Sequence, residues 1–129
     1  MNMKGDKMRF SHYNPNPCGR TVGDCSVRAI SKALNMDWGE AFSLLSSFAY
    51  SMCDMPNADS VWGAVLRSYG FERINFNDNV TLSDIAENSE NCICVISFGG
   101  HVATMVNGVL YDAWNSSHET PIYMWIKEI

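Results

Sequence analysis

A thiol, an imidazole and a carboxylate can together run nucleophilic acyl chemistry: the thiolate attacks, the imidazole carries the proton, and the carboxylate orients the imidazole. The chain holds these groups in the order Cys25, His101, Asp112. Cys25 stands in NPCGRTVGDCS, which runs directly into VRAISKAL, so the thiol falls where a loop becomes a helix. A cysteine in a first helical turn feels the positive end of the helix dipole and unsatisfied backbone N–H groups, and both favour thiolate. Gly23 provides the turn, and Asp24 or Gly23 can cap the helix. The competing account is an inert buried cysteine, the commonest fate of a free thiol.

A hairpin is expected to join the other two groups. Asn107-Gly108 lies between two alternating apolar runs, and a type I′ turn needs positive φ at both of its central positions. A two-residue loop pairs Val106 with Val109, which puts Ala103 opposite Asp112 and His101 opposite Trp114. The pleat then predicts His101, Ala103 and Met105 on one face with Leu110, Asp112 and Trp114, and Asn115 on the other. His101 and Asp112 become diagonal neighbours about 7–8 Å apart along the backbone, within side-chain reach. Taken alone, this pair also reads as a rim histidine after Gly-Gly and a solvated strand-end carboxylate. Against that reading, a charged residue among Tyr111, Ala113 and Trp114 requires a partner.

The elements that must position these groups follow from periodicity. Val27, Ile30 and Leu34, then Trp38, Ala41, Leu45 and Phe48, then Val61, Val65 and Tyr69 recur at helical spacing. LSDIAENS reads as a short helix with Thr81 or Ser83 as its N-cap. After it, CICVISF, HVATMV, VLYDAW and PIYMWI are short β-branched and aromatic runs divided by turn residues. Helices first and strands afterwards predict an α+β fold, with N-terminal helices packed on a C-terminal antiparallel sheet. The loop-like stretches 11–24, 53–59 and 115–121 are too short to separate two domains, so a single domain over 1–129 is expected.

Bulk composition agrees with this. The chain has 129 residues and 47% apolar content, enough for one core without metal or disulfide support. A net charge of −5 with scattered Lys and Arg leaves no basic stripe for nucleic acid. No apolar run approaches the length of a membrane span, and MNMKGDKMRF carries charge without a hydrophobic segment behind it. A cytoplasmic location with no membrane partner is therefore expected. The five cysteines are odd in number and irregularly spaced, which predicts free thiols. A zinc site at Cys18, Cys25 and His12 lacks CxxC or HxxxH spacing, so neither metal nor other cofactor is expected. Cys92 and Cys94 read as buried strand thiols, and Trp38, Trp62 and Trp125 as core or rim aromatics. Trp114 has the position to shield the His101–Asp112 contact, and His118 lies in a polar loop. Nothing in the composition sets an oligomeric state.

GDCSVRAISKAL, GGHVATMVNG and VLYDAW resemble the nucleophile helix, base strand and orienting acid of papain-like cysteine peptidases, especially compact bacterial and phage-type members and bacteriocin-processing peptidases. The resemblance implies a papain-like fold and a peptide or protein substrate. By this likeness the Cys25 thiolate attacks a carbonyl carbon, His101 protonates the leaving amine and then activates water, and Asp112 holds His101. The product would be a hydrolysed amide or isopeptide bond. One feature departs from the family, which usually carries an oxyanion-stabilising glutamine some six residues before the cysteine. Here Gly19 stands at that position and the chain has no glutamine. Asn16, nearest in sequence, or Asn14 is then the expected side-chain donor, unless the Cys25 backbone N–H works with little help; losing one donor costs ~10²–10³ in rate. Cell-wall amidases of the NlpC type are a second resemblance through DCS and the HV-rich strand. Those usually have glycine where this chain has Val27, and a third histidine where it has an aspartate. Two other functions use the same residues: a non-enzymatic peptide- or protein-binding module on a degenerate papain-like fold, and an acyl transferase.

Overall fold

The structure is a computed structural model that describes residues 9–77 and 79–129. In chain order it contains β1 (Arg9–His12), α1 (Cys25–Leu34), α2 (Trp38–Met52), α3 (Asp59–Ser68), β2 (Glu72–Asn75), α4 (Leu82–Asn88), β3 (Cys92–Ser97), β4 (Val102–Val106), β5 (Val109–Asp112) and β6 (Tyr123–Glu128). The six strands form one sheet in the order β1-β5-β4-β3-β6-β2.

Local chemistry explains most boundaries. α2 begins with a capping box: the Asp37 carboxylate accepts the Glu40 N–H at 2.8 Å and the Glu40 carboxylate accepts the Asp37 N–H at 3.0 Å. Thr81 and Asp84 build the same motif at the start of α4, at 3.1 and 2.9 Å, so Thr81 is the cap and Ser83 lies inside the helix. Asn107 and Gly108 have φ of 49° and 80°, the pair of positive values that a type I′ turn requires. The turn sets the register of β4 on β5, pairing Val106 with Val109, Met105 with Leu110 and Thr104 with Tyr111.

The architecture is α+β, but the sheet is mixed rather than antiparallel. β3, β4, β5 and β6 pair antiparallel as expected, whereas β1 joins the edge of β5 in parallel. β1 and β2 both come from the half of the chain that reads as helical and loop-like. Every residue of β2 is exposed and β1 is only half covered, so neither carries the in–out alternation that marks a strand in sequence. The helices also divide between the two faces. Ile30, Leu45, Val61 and Leu66 of α1–α3 pack on Val95, Val102 and Trp125, while Leu82 and Ile85 of α4 pack on Cys94, Ile96, Ala103, Met105 and Leu110. Each such aliphatic side chain, fully buried, contributes about 1.5–3 kcal/mol. The Thr104 hydroxyl donates to the Ala29 carbonyl at 2.8 Å and so ties α1 directly to β4. Among the described residues, no helix is long and apolar enough to cross a membrane.

Candidate active site

Cys25 is the first residue of α1 and is half-buried. Asp24 is the N-cap, yet its side chain makes no capping bond. Its carboxylate instead pairs with Arg28 one turn on, at 2.6 Å, and accepts the Trp38 indole N–H at 2.9 Å. The backbone N–H of Cys25 belongs to the first turn of α1, whose N–H groups have no carbonyl partner within the helix.

His101 immediately precedes β4 and Asp112 is the last residue of β5. The ladder between these strands stops at Thr104–Tyr111, so both residues lie past its regular pairing, although Asp112 still pairs with His12 of β1 on the other edge of β5. This changes the expected face. Ala103, Met105 and Leu110 sit in the α4-side core, whereas the Asp112 carboxylate bonds Arg28 of α1 on the opposite side of the sheet. Alternation binds residues inside a ladder, and at a strand end the side chain can be recruited by whatever packs there. His101 and Asp112 nevertheless meet: Nε2 lies 2.6 Å from Oδ2. Phe98 and Trp114 flank the imidazole at ring separations of 5.9 and 5.0 Å and limit its rotation.

Asp112 is completely buried and its carboxylate is densely satisfied. Besides His101 it accepts the Ser116 hydroxyl at 2.6 Å, the Ala113 N–H at 2.8 Å and Arg28 Nε at 3.2 Å. Asn115 accepts the Ser117 N–H through its side chain, forming the turn that carries Ser116 beneath Asp112. The buried chain of contacts therefore runs Trp38, Asp24, Arg28, Asp112, His101 and ends on Cys25. With Nε2 engaged by Asp112, Nδ1 is the nitrogen left to face the thiol.

The electrostatics follow from this chain. Burial opposes ionisation of Cys25, but hydrogen bonds from His101 and the Val102 N–H and the positive charges of His101 and Arg28 outweigh it, so the thiol lies below its ordinary value. Burial likewise opposes charge on His101, and its bonds to Asp112 and Cys25 overcome that and push it up to about 9. Asp112 is held below the usual carboxylate range: burial acts against it, and the bonds from His101 and Ser116 prevail. Cys94 gives the contrast, since burial pushes that thiol up to about 11.

The thiol opens into a cavity of about 130 Å³ bordered by Gly23, Asn57, Asp59, Gly99 and His101. Asn16 and Asn14 do not border it. Asn16 uses its side-chain carbonyl on the N–H groups of Cys18 and Arg20, at 2.9 and 3.3 Å. Asn14 accepts the Asn16 N–H and donates to the Arg20 carbonyl, both at 3.2 Å. The asparagine that borders the cavity is Asn57, an exposed residue of the turn before α3. His118 is exposed, as are Cys18 and Cys53. Among the described residues, no three His, Cys, Asp or Glu side chains cluster as a metal ion would need.

Sequence reasoning missed Arg28, Ser116 and Asn57. For Arg28 a signal existed, because Asp24 and Arg28 are spaced i,i+4 at a helix start; Ser116 and Asn57 are ordinary polar loop residues with none. No family model matches the chain, and no curated protein or solved structure matches it. The arrangement can generate a thiolate–imidazolium pair braced by a buried carboxylate, which is the chemistry of covalent acyl transfer.

Proposed function

We propose that the protein is a thiol-dependent hydrolase, a cysteine peptidase or amidase of papain-like type, acting on an amide or isopeptide bond of a peptide or protein. The observation that carries this reading is the 2.6 Å bond between His101 Nε2 and Asp112 Oδ2, with the other ring nitrogen turned to a helix-terminal thiol of lowered pKa. The Cys25 thiolate attacks the carbonyl carbon, and the oxyanion forms beside the Cys25 backbone N–H. His101 gives its Nδ1 proton to the leaving amine, then takes a proton from water as water attacks the thioester. Asp112 stays ionised and fixes the ring throughout. In this reading Asn57, which borders the same cavity as the thiol, assists the oxyanion, since Asn14 and Asn16 are bonded into their own loop. Arg28 acts as a positioning residue, holding Asp112 from the side away from His101.

The test is the pH dependence of Cys25 alkylation by iodoacetamide, located by mass spectrometry, in the native chain and in His101→Ala. Fast labelling at pH 6 that His101→Ala abolishes is the expected result. Labelling that titrates like an ordinary thiol in both chains would refute the reading. It would favour the alternative of a peptide- or protein-binding module, towards which the missing glutamine points.

A further inference from the structure

We propose that a groove between α3 and the β6-β2 end of the sheet, outside the cavity that holds the thiol, binds a small organic phosphate by its phosphomonoester group. This site goes beyond the hydrolase reading and does not depend on it. The groove has a volume of about 480 Å³. Ser60, Gly63, Ala64 and Arg67 border it from one face of α3, at the spacing of neighbours along a helix, and Arg73 of β2 and Trp125 of β6 border it from the sheet.

Two guanidiniums are held there on neighbouring rings. Arg73 pairs across the strands with Trp125, and Tyr123 lies two residues before Trp125 on the same face of β6. The guanidinium carbon of Arg73 is 3.8 Å from the centre of the Tyr123 ring, and that of Arg67 is 5.1 Å from the centre of the Trp125 ring. Stacking occupies the flat face of a guanidinium and leaves its N–H edge to meet oxygens. Among the described residues no carboxylate lies within 4.0 Å of either arginine. Arg73 donates through Nε to the Asn75 side chain at 3.0 Å, which leaves both of its Nη groups for a ligand. Asp59, the one acid of the lining, accepts the Tyr123 hydroxyl at 3.1 Å rather than pairing with either cation. In a chain with 14 acidic and 9 basic side chains, two arginines without an acid between them select an anion from outside. Two such forks match the nearly double charge of a phosphomonoester better than the single charge of a carboxylate. A third donor stands at the same place: the Trp125 indole N–H is buried without an acceptor, and its nitrogen would lie 3.6 Å from a Cβ added at Gly63. Arg67 lies over this ring, and its movement onto a phosphate is what would admit an oxygen to the unpaired N–H.

The experiment titrates the full chain, labelled with nitrogen-15, with inorganic phosphate, phenyl phosphate and benzoate at constant ionic strength, and follows the signals of the 4 indole N–H groups by NMR. Trp125→Phe identifies the signal of Trp125 by its loss. Both phosphates should shift that signal saturably, with the exposed Trp114 as the internal control that stays in place, and benzoate should bind at least about tenfold more weakly. Arg67→Gln and Arg73→Gln should each weaken phenyl phosphate by about 10- to 100-fold, the worth of a charge-assisted hydrogen bond. Arg73→Lys, which keeps the charge and loses the fork, should recover only part of that. A Trp125 signal that neither phosphate saturates by about 10 mM, benzoate binding as tightly as phenyl phosphate, or an affinity that both glutamine variants leave within about threefold would overturn the proposal. The hydrolase reading stands or falls separately, on the alkylation of Cys25.

Discussion

Replacing Arg28 with methionine tests the buried charge chain most directly. The guanidinium is 7% exposed and reaches two carboxylates that are 5% and 0% exposed: Nη1 lies 2.6 Å from Asp24, and Nη2 lies 3.1 Å from Asp112. Methionine keeps most of the aliphatic stem, so packing changes little and the charge is what is lost. Removing one partner from a buried, hydrogen-bonded ion cluster costs about 3–5 kcal/mol, because the remaining charges stay desolvated. For a domain stable by about 5–15 kcal/mol this is a large fraction. It corresponds to a fall in Tm on the order of 10–20 °C. The deficit should be greatest at neutral pH and shrink as pH falls through the carboxylate range, since protonating the stranded carboxylates discharges them. Arg28→Lys should lose less but not recover fully, because one ammonium cannot span both acids as a planar fork does. Urea denaturation at pH 7 and pH 4 measures both effects. Cys25 alkylation at pH 6 should slow in Arg28→Met relative to its rate at pH 9, as a loosened Asp112 makes His101 less basic. A loss below about 1 kcal/mol, unchanged between the two pH values and with an unaltered alkylation profile, would refute the bracing role.

Three further outcomes are expected. His101 is raised from 6.5 to about 9, so its contribution to stability is complete below pH 6.5 and is lost as pH rises through 9, whereas the lowered Cys25 has the opposite trend; Cys25→Ser, which leaves Asp112 as the group that raises His101, should unmask a decline in stability that begins at pH 6.5 and is complete below 9, and His101→Gln should remove it, read by urea denaturation. Asn57→Ala should slow acylation by an activated ester such as p-nitrophenyl acetate by ~10²–10³ while iodoacetamide alkylation, which forms no oxyanion, stays within about threefold; Asn16→Ala should affect loop stability and not the ester rate. Thr104→Val should cost about 1 kcal/mol in denaturant unfolding, since it removes the one hydroxyl bond that ties α1 to β4.

The hairpin shows how far local rules reach. Asn-Gly determines the turn, the turn determines the register, and the register brings His101 and Asp112 within reach, all from residues a few positions apart. The Thr81 cap and the four C-terminal strands are legible for the same reason. β1 and β2 are not, because an edge strand is stabilised by the partner it joins, and RFSH and ERIN carry no buried face of their own. The side of the sheet on which Asp112 acts was equally hidden, since at the last residue of β5 the carboxylate bonds Arg28 of α1, against the alternation set by Leu110.

By itself, then, the sequence determined the α1 boundary at Cys25, the type I′ turn, and the order of thiol, imidazole and carboxylate along the chain. These depend on φ preferences, capping and period, which act over one or two turns of backbone. Tertiary structure alone decided that Arg28, an ordinary polar residue of an amphipathic helix, is buried between Asp24 and an Asp112 that lies 84 residues away in sequence. It decided as well that Asn57, and not Asn14 or Asn16, borders the cavity of the thiol. Burying a charge or orienting an amide depends on what arrives from distant parts of the chain, and that is settled only when the helices dock on the sheet.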